Sequence, residues 1–164
     1  MTVIRAAVPD DVPTLLGLIH ELAEYEKLTH LLRATEVDIE RELFDGHPMA
    51  EALVASIAGE TVGFALFFHN LSTFLGRRGL WLEDLYVRPA FRRAGTGRAL
   101  LLAVARIAAE RGCGRFEWSV LDWNEPAIRF YRGLGAEILP DWRICRVTGP
   151  ALRILADRDT DGKM

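Results

Sequence analysis

Cysteine is nearly missing from this 164-residue chain: only Cys113 and Cys145 occur. Two cysteines cannot build a disulfide framework, so a reducing, cytoplasmic compartment is expected. Long apolar runs are missing too. The longest near a helical pattern, residues 99–105, lies between Arg98 and Arg106, whereas a membrane span needs ~20 predominantly apolar residues. The N-terminus has one early cation, Arg5, and then Pro9-Asp10-Asp11, where a secretory signal would need an apolar stretch. There is no excess of basic charge. With 20 Lys+Arg against 23 Asp+Glu the net charge is −3, which argues against a dedicated nucleic-acid binder. No linker, internal repeat or low-complexity segment interrupts the chain.

What is present is half apolar and 26% charged, the profile of one globular domain spanning residues 1–164. Residues 2–7 read as a β-branched strand, and Pro9-Asp10-Asp11 suits a helix start. Val12, Leu15, Leu16, Ile19, Leu22 and Ala23 then make one helical face. Thr35-Glu36-Val37-Asp38 resembles a capping box for a helix ending near Phe44. Residues 52–57 and 62–68 read as a hairpin, residues 69–79 as a loop, and residues 80–87 as a third strand. Gly95 and Gly97 precede a long helix whose inner face is Leu100, Leu101, Val104, Ile107 and Ala108, capped by Gly112. Residues 116–121 read as a strand. Asn124 N-caps a helix with Pro126 in its first turn. Residues 138–139 and 142–147 read as closing strands, and the polar tail from Asp157 to Met164 as frayed. The order βααβββαβαββ predicts one α/β domain with a mixed sheet.

Chemistry concentrates in residues 82–97, where a strand feeds an Arg- and Gly-bearing loop that opens a helix. Loop glycines let backbone N–H groups approach a ligand, and the helix adds free N–H groups and partial positive charge. This arrangement suits phosphate or pyrophosphate. It is not a Walker A loop, which needs a Lys, nor a Gly-x-Gly-x-x-Gly fingerprint, since Gly95-Thr96-Gly97-Arg98-Ala99-Leu100 ends in Leu. Metal motifs also fail. His20-Glu21-x-x-Glu24 lacks a second His, and Asp157-x-Asp159-x-Asp161-Gly162 stops before the rest of a calcium loop.

Arg92, Gly95 and Gly97 fill the pattern Arg-x-x-Gly-x-Gly, which resembles the acetyl-CoA pyrophosphate loop of the Gcn5-related N-acetyltransferases (GNAT). Further blocks extend the likeness over nearly the whole chain: residues 21–26, 46–48, 83–87, 121–131 and 142–143. Together they are similar to the diamine (spermidine/spermine or thialysine) branch of that superfamily. The resemblance implies the GNAT fold, a mixed and mostly antiparallel sheet flanked by helices. It implies transfer of acetyl from acetyl-CoA to a primary amine of a small cationic substrate, with no metal, as a homodimer.

Acetyl transfer to an amine requires deprotonating it, because an amine with pKa ~10.4 is only about one part in two thousand neutral at pH 7. By resemblance, Glu83 receives that proton. Adjacent strand residues face opposite ways, so only one of Glu83 and Asp84 is expected to point at the substrate. By resemblance again, Tyr131 protonates the departing sulfur, a role a phenol neutral at pH 7 can fill. Asn124, Pro126 and Ala127 contact the cofactor. Leu85, Tyr86 and Val87 present it with backbone. Arg92, Arg93, Ala94, Gly95, Thr96, Gly97 and Arg98 surround its pyrophosphate, and Arg88 joins their basic cluster. Tyr25, Glu26, Glu83, Asp84 and Asp141 line the amine side. The chain departs from the branch where Arg93-Ala94 replaces the first Gly-x of the loop, where Phe74 stands for a Trp, and where the loop before Trp142 keeps only Asp141. Two other readings stay open: acylation of a protein or peptide amine, and a non-catalytic CoA-binding module.

Overall fold

A computed structural model describes residues 1–158. Residues 159–164, most of the expected frayed tail, lie outside the described part. The chain divides into two compact units, Met1–Ser119 and Val120–Met164.

The first unit holds a five-stranded sheet in the order β1-β2-β3-β4-β5. Its strands are β1 (Thr2–Ala6), β2 (Glu51–Ile57), β3 (Glu60–Ser72), β4 (Arg77–Val87) and β5 (Phe116–Trp118). The first three pairings are antiparallel and β4–β5 is parallel. This is the mixed, mostly antiparallel sheet expected. Central strands β2 and β3 are apolar on both faces because helices cover both. Helices α1 (Val12–Tyr25) and α2 (Glu36–Phe44) bury Leu15, Leu18 and Leu43 against Val54, Phe64 and Tyr86. Helix α3 (Thr96–Glu110) packs on β3 and β4 from the other side, with Leu100 and Val104 fully buried.

Local chemistry sets the ends of these helices. Thr35 Oγ1 accepts from the Asp38 N–H, while Asp38 accepts from the Thr35 N–H, so the expected capping box forms on α2. Asp11 fixes the entry to α1. Its carboxylate accepts two bonds from Arg5 on β1, at 2.6 and 2.8 Å, and one from the Val8 N–H at 2.8 Å.

Residues 69–79 are not a loop. Strands β3 and β4 continue as a two-stranded ribbon out to the pair Ser72–Arg77, and only residues 73–76 turn. Polar residues are tolerated there because the ribbon extends into solvent, where Phe74 at its tip is 98% exposed. The pairing of Asn70 with Gly79 is close: a Cβ on Gly79 would lie 2.3 Å from Asn70 Oδ1.

In the second unit, Asn124 Oδ1 accepts from the Ala127 N–H at 3.3 Å and caps α4 (Glu125–Arg132). Residues 138–139 and 142–147 carry no strand, which corrects the sequence expectation. Residues of high strand propensity supply a tendency but not a partner edge. An unexpected helix, α5 (Gly149–Ala156), begins with Pro150 in its first turn. Among the described residues, no helix is long and apolar enough to cross a membrane.

The Arg5 pairing holds the Asp11 carboxyl below its usual range, with the Val8 N–H adding to the effect and burial opposing it. A lowered folded pKa stabilises the fold fully above the unfolded value, about 3.9, and the gain is lost as pH falls through the folded value. Asp11→Ala should cost about 1–2 kcal/mol at pH 7, kept modest by the half-exposed Arg5. In denaturant titrations the gap to wild type should be flat from pH 5 to 8 and shrink below pH 4.

Candidate active site

The site is built around a register break in β4. Leu66 faces Asp84, but the next residue, Phe67, faces Leu82, leaving Glu83 as an extra residue in β4. Such a bulge bends the strand and breaks the alternation of side chains. Phe68 faces Trp81, and Phe68 and Leu66 share one face of β3, so Trp81 and Asp84 share a face of β4 although three residues apart. Glu83 joins them, since the Trp81 indole N–H donates to Glu83 Oε2 at 2.9 Å. The two acids therefore sit together, whereas strict alternation would have separated them. Sequence reasoning missed Trp81 as the group that holds Glu83.

Their face is the one under α1. Glu26, immediately after α1, bears on Asp84 electrostatically. Burial pushes the Asp84 carboxyl up to about 7, and the negative charges of Glu83 and Glu26 add to the shift. Burial also raises Glu26. No described cation offsets Asp84. Three carboxylates thus converge, with Tyr25 adjoining Glu26, and this gathers four of the five residues expected on the amine side. The fifth, Asp141, lies exposed in a turn of the second unit.

The other edge of β4 is open where a cofactor would need it. Pairing with β5 covers only Leu80, Trp81 and Leu82. From Glu83 to Val87 the strand has β3 beside it on one side and no described strand on the other. Backbone groups of Leu85 and Val87 are thus placed to bond an extended ligand arm. The Tyr86 side chain packs in the core, its O–H donating to Glu21 Oε2 at 3.3 Å.

Beyond Val87 the chain makes a short 3-10 turn, Pro89–Phe91, and then the Arg-x-x-Gly-x-Gly loop. Arg93 and Gly95 both have positive φ, 65° and 85°. That conformation aims successive N–H groups to one side, as anion-binding backbones do. The N-terminus of α3 has no side-chain cap, unlike those of α2 and α4, so its first N–H groups remain available to a pyrophosphate. Thr96 contributes backbone alone, because its hydroxyl meets Thr2 Oγ1 at 3.3 Å. The residues present fit a pyrophosphate.

The four arginines of this stretch divide. Arg88 Nε donates to Glu21 Oε1 at 3.0 Å and its NH1 to Glu60 Oε1 at 2.8 Å, so Arg88 is a structural cation rather than a phosphate ligand. Arg92 Nε donates to the Val87 carbonyl at 2.7 Å. Arg93 and Arg98 are exposed and carry no ion pair among the described residues. Glu21 holds both Arg88 and Tyr86, a role the sequence does not suggest. An acid on a helix flank looks like any solvated charge.

In the second unit, Tyr131 and Asn124 are both 8% exposed. The rings of Phe130 and Tyr131 lie 5.2 Å apart. Pro126 and Ala127 form the first turn of α4. Among the described residues, no three His, Cys, Asp or Glu side chains are arranged to hold a metal ion.

The open strand, the uncapped helix and the loop define an acyltransferase of the GNAT type. A model of the acetyltransferase (GNAT) family matches residues 16–136, and the chain belongs to that family as an amine N-acetyltransferase. A thialysine N-epsilon-acetyltransferase of Mus musculus is 38% identical over 96% of this chain and 98% of its own. An L-ornithine N5-acetyltransferase of Arabidopsis thaliana is 36% identical over 93% of this chain and 86% of its own. Among solved structures, an integron cassette protein from V. cholerae superposes with a TM-score of 0.80, at 25% identity over 96% of this chain and 98% of that one. Members of the family use acetyl-CoA as acyl donor.

The raised Asp84 pKa has a stability consequence. A carboxyl near 7 in the fold and near 3.8 unfolded costs stability as pH rises from about 4 to about 7, and the cost is constant above. Asp84→Asn removes that cost. In thermal melts the variant should gain on wild type between pH 4 and 7 and hold a constant lead above pH 8. A gap independent of pH would show that Asp84 titrates normally.

Proposed function

We propose that this protein transfers the acetyl group of acetyl-CoA to the primary amine of a small cationic substrate, a diamine, a polyamine or a thialysine-like amino acid. One observation carries the reading. Glu83 and Asp84 share one face of the bulged strand, beside a loop and helix start suited to pyrophosphate; the charge of Glu26 beyond α1 also bears on Asp84, and no described cation offsets it. A desolvated carboxylate such as Asp84, with like charges beside it, destabilises a fold unless a cation joins it, and an ammonium substrate is such a cation. The names of the relatives support the same class, since they act on thialysine and ornithine.

Acetyl-CoA would supply the activated thioester. Backbone N–H groups of residues 93–98 would hold its pyrophosphate, with Arg93 and Arg98 as the available cations, and the open edge at Leu85 and Val87 would hold the arm. The acids must bind an ammonium and also take a proton from it. A carboxylate near pKa 7 is far better matched to that transfer than one near 4. Asp84 therefore stands beside Glu83 as proton acceptor, directly or through water. Tyr131, by family resemblance, supplies the proton to the leaving sulfur. The same resemblance supports a homodimer, and the scarcity of cysteine supports a cytoplasmic location.

The test is CoA release by the purified protein with acetyl-CoA and a panel of polyamines, thialysine, ornithine and lysine-containing peptides. Turnover of the small amines is expected. Tyr131→Phe should lower kcat about 10²-fold or more with little change in KM. Product masses found only on peptides would assign a macromolecular acceptor instead. Failure to bind acetyl-CoA in calorimetry would sink the proposal.

A further inference from the structure

The first residue of the loop motif, Arg92, is engaged away from the phosphate-binding turn. Its guanidinium carbon sits 4.7 Å from the centroid of the Tyr25 ring and 5.4 Å from that of Tyr86. Its Nε donates to the Val87 carbonyl at 2.7 Å. Tyr86 is itself fixed, because its O–H donates to Glu21, which also accepts from Arg88. One planar cation thus joins three pieces of backbone: the end of α1 at Tyr25, the inner face of β4 at Tyr86, and the last carbonyl of β4 at Val87. The left-handed turn of the loop begins one residue later, at Arg93. The acid Glu26, which faces Asp84, follows Tyr25 directly.

We propose that Arg92 is a positioning residue that couples the pyrophosphate loop to the amine-binding end of α1. The inference rests on the amine acetyltransferase reading above. A guanidinium is planar, weakly hydrated and able to stack on a ring while its edge donates a directed bond. A Lys ammonium is a compact, strongly hydrated point charge and cannot hold a ring face and a fixed carbonyl at once. When a phosphate orders the N–H groups from Arg93 onward, the root of the loop is held at Arg92. Arg92 in turn fixes Tyr25, and with it Glu26 opposite Asp84. Coupling of this kind is reciprocal, so a bound amine tightens the loop for the cofactor by the same factor.

The experiment uses the full-length protein as wild type, Arg92→Lys, Arg92→Met, Tyr25→Leu and the double variant Arg92→Met with Tyr25→Leu. The amine is whichever of thialysine, ornithine and spermidine wild type turns over fastest. KM for the amine is measured at saturating acetyl-CoA, and CoA affinity by calorimetry with and without that amine. Both Arg92 variants should raise the amine KM about 5- to 30-fold, the range that losing a partly desolvated cation–π contact corresponds to. Lys should fail to rescue despite its charge. The double variant should be no worse than the weaker single one, and the amine should no longer improve CoA affinity. A loss confined to CoA affinity would make Arg92 an ordinary phosphate ligand and overturn the proposal. So would additive effects in the double variant, or a lowered Tm with unchanged kinetic constants. Absence of turnover in wild type would instead overturn the underlying reading, and this inference with it.

Discussion

The site depends on one extra residue. Inserting Glu83 between the pairs Leu66–Asp84 and Phe67–Leu82 changes three things together. It lets two consecutive acids share the face under α1, which an ideal pleat forbids. It falls where β5 stops following β4, so from Glu83 to Val87 that edge pairs with no described strand. It also leaves Leu85 and Val87 on the α3 face while Tyr86 faces α1, so core packing resumes on both sides. A bulge sacrifices ladder hydrogen bonds. The well-paired ribbon of β2, β3 and β4 makes that loss tolerable, because Phe64, Phe67, Leu80 and Leu82 on either side of the break are buried almost completely.

A second constraint is electrostatic. Among the described residues, unpaired positive groups lie on the loop after β4 and unpaired negative groups on β4 itself, while the whole chain sums to only −3. On the loop side Arg93 and Arg98 carry no described ion pair. On the strand side Asp84 has carboxylates for neighbours and no described cation. Left alone, the like charges of both clusters oppose folding, and burial of Asp84 adds to the cost on the acid side. A chain keeps such groups where ligands of opposite sign complete them, which is the familiar exchange of stability for function. The Arg5–Asp11 pair shows the alternative, in which a buried acid is matched within the chain by a half-exposed guanidinium and anchors α1.

Elements ruled by local chemistry were readable in advance. The capping box of α2 and the Asn124 cap of α4 follow from residues three apart, and both form. Helices α1 and α3 follow from apolar spacing, although on α1 the buried set includes Leu18 rather than the half-buried Leu16. The failures are non-local. Residues 142–147 hold the β-formers Trp142, Ile144 and Val147, but a strand exists only if an edge is available to it. Residues 69–79 look like a loop by composition, yet the ribbon pairs through them because β3 and β4 are already in register. Helix α5 was overlooked because Gly149 and Pro150 look like breakers, whereas Pro is favoured in the first turn of a helix. Rules of strand alternation assume a regular ladder, so they could not foresee the bulge, and with it the company kept by Asp84.

The arginines make the same point at the level of single side chains. Arg88, Arg92, Arg93 and Arg98 form one basic cluster in the sequence, and a count of charge assigns all four to the pyrophosphate. In the fold their roles follow from what each guanidinium can reach. Arg88 finds Glu21 and Glu60 and is neutralised. Arg92 finds two aromatic faces and a carbonyl, partners that suit a planar cation and leave its charge uncancelled by any carboxylate. Only Arg93 and Arg98 are left to solvent. The basic residue of the loop motif is therefore where cofactor loop and amine site meet, and that follows from its stacking geometry rather than its charge.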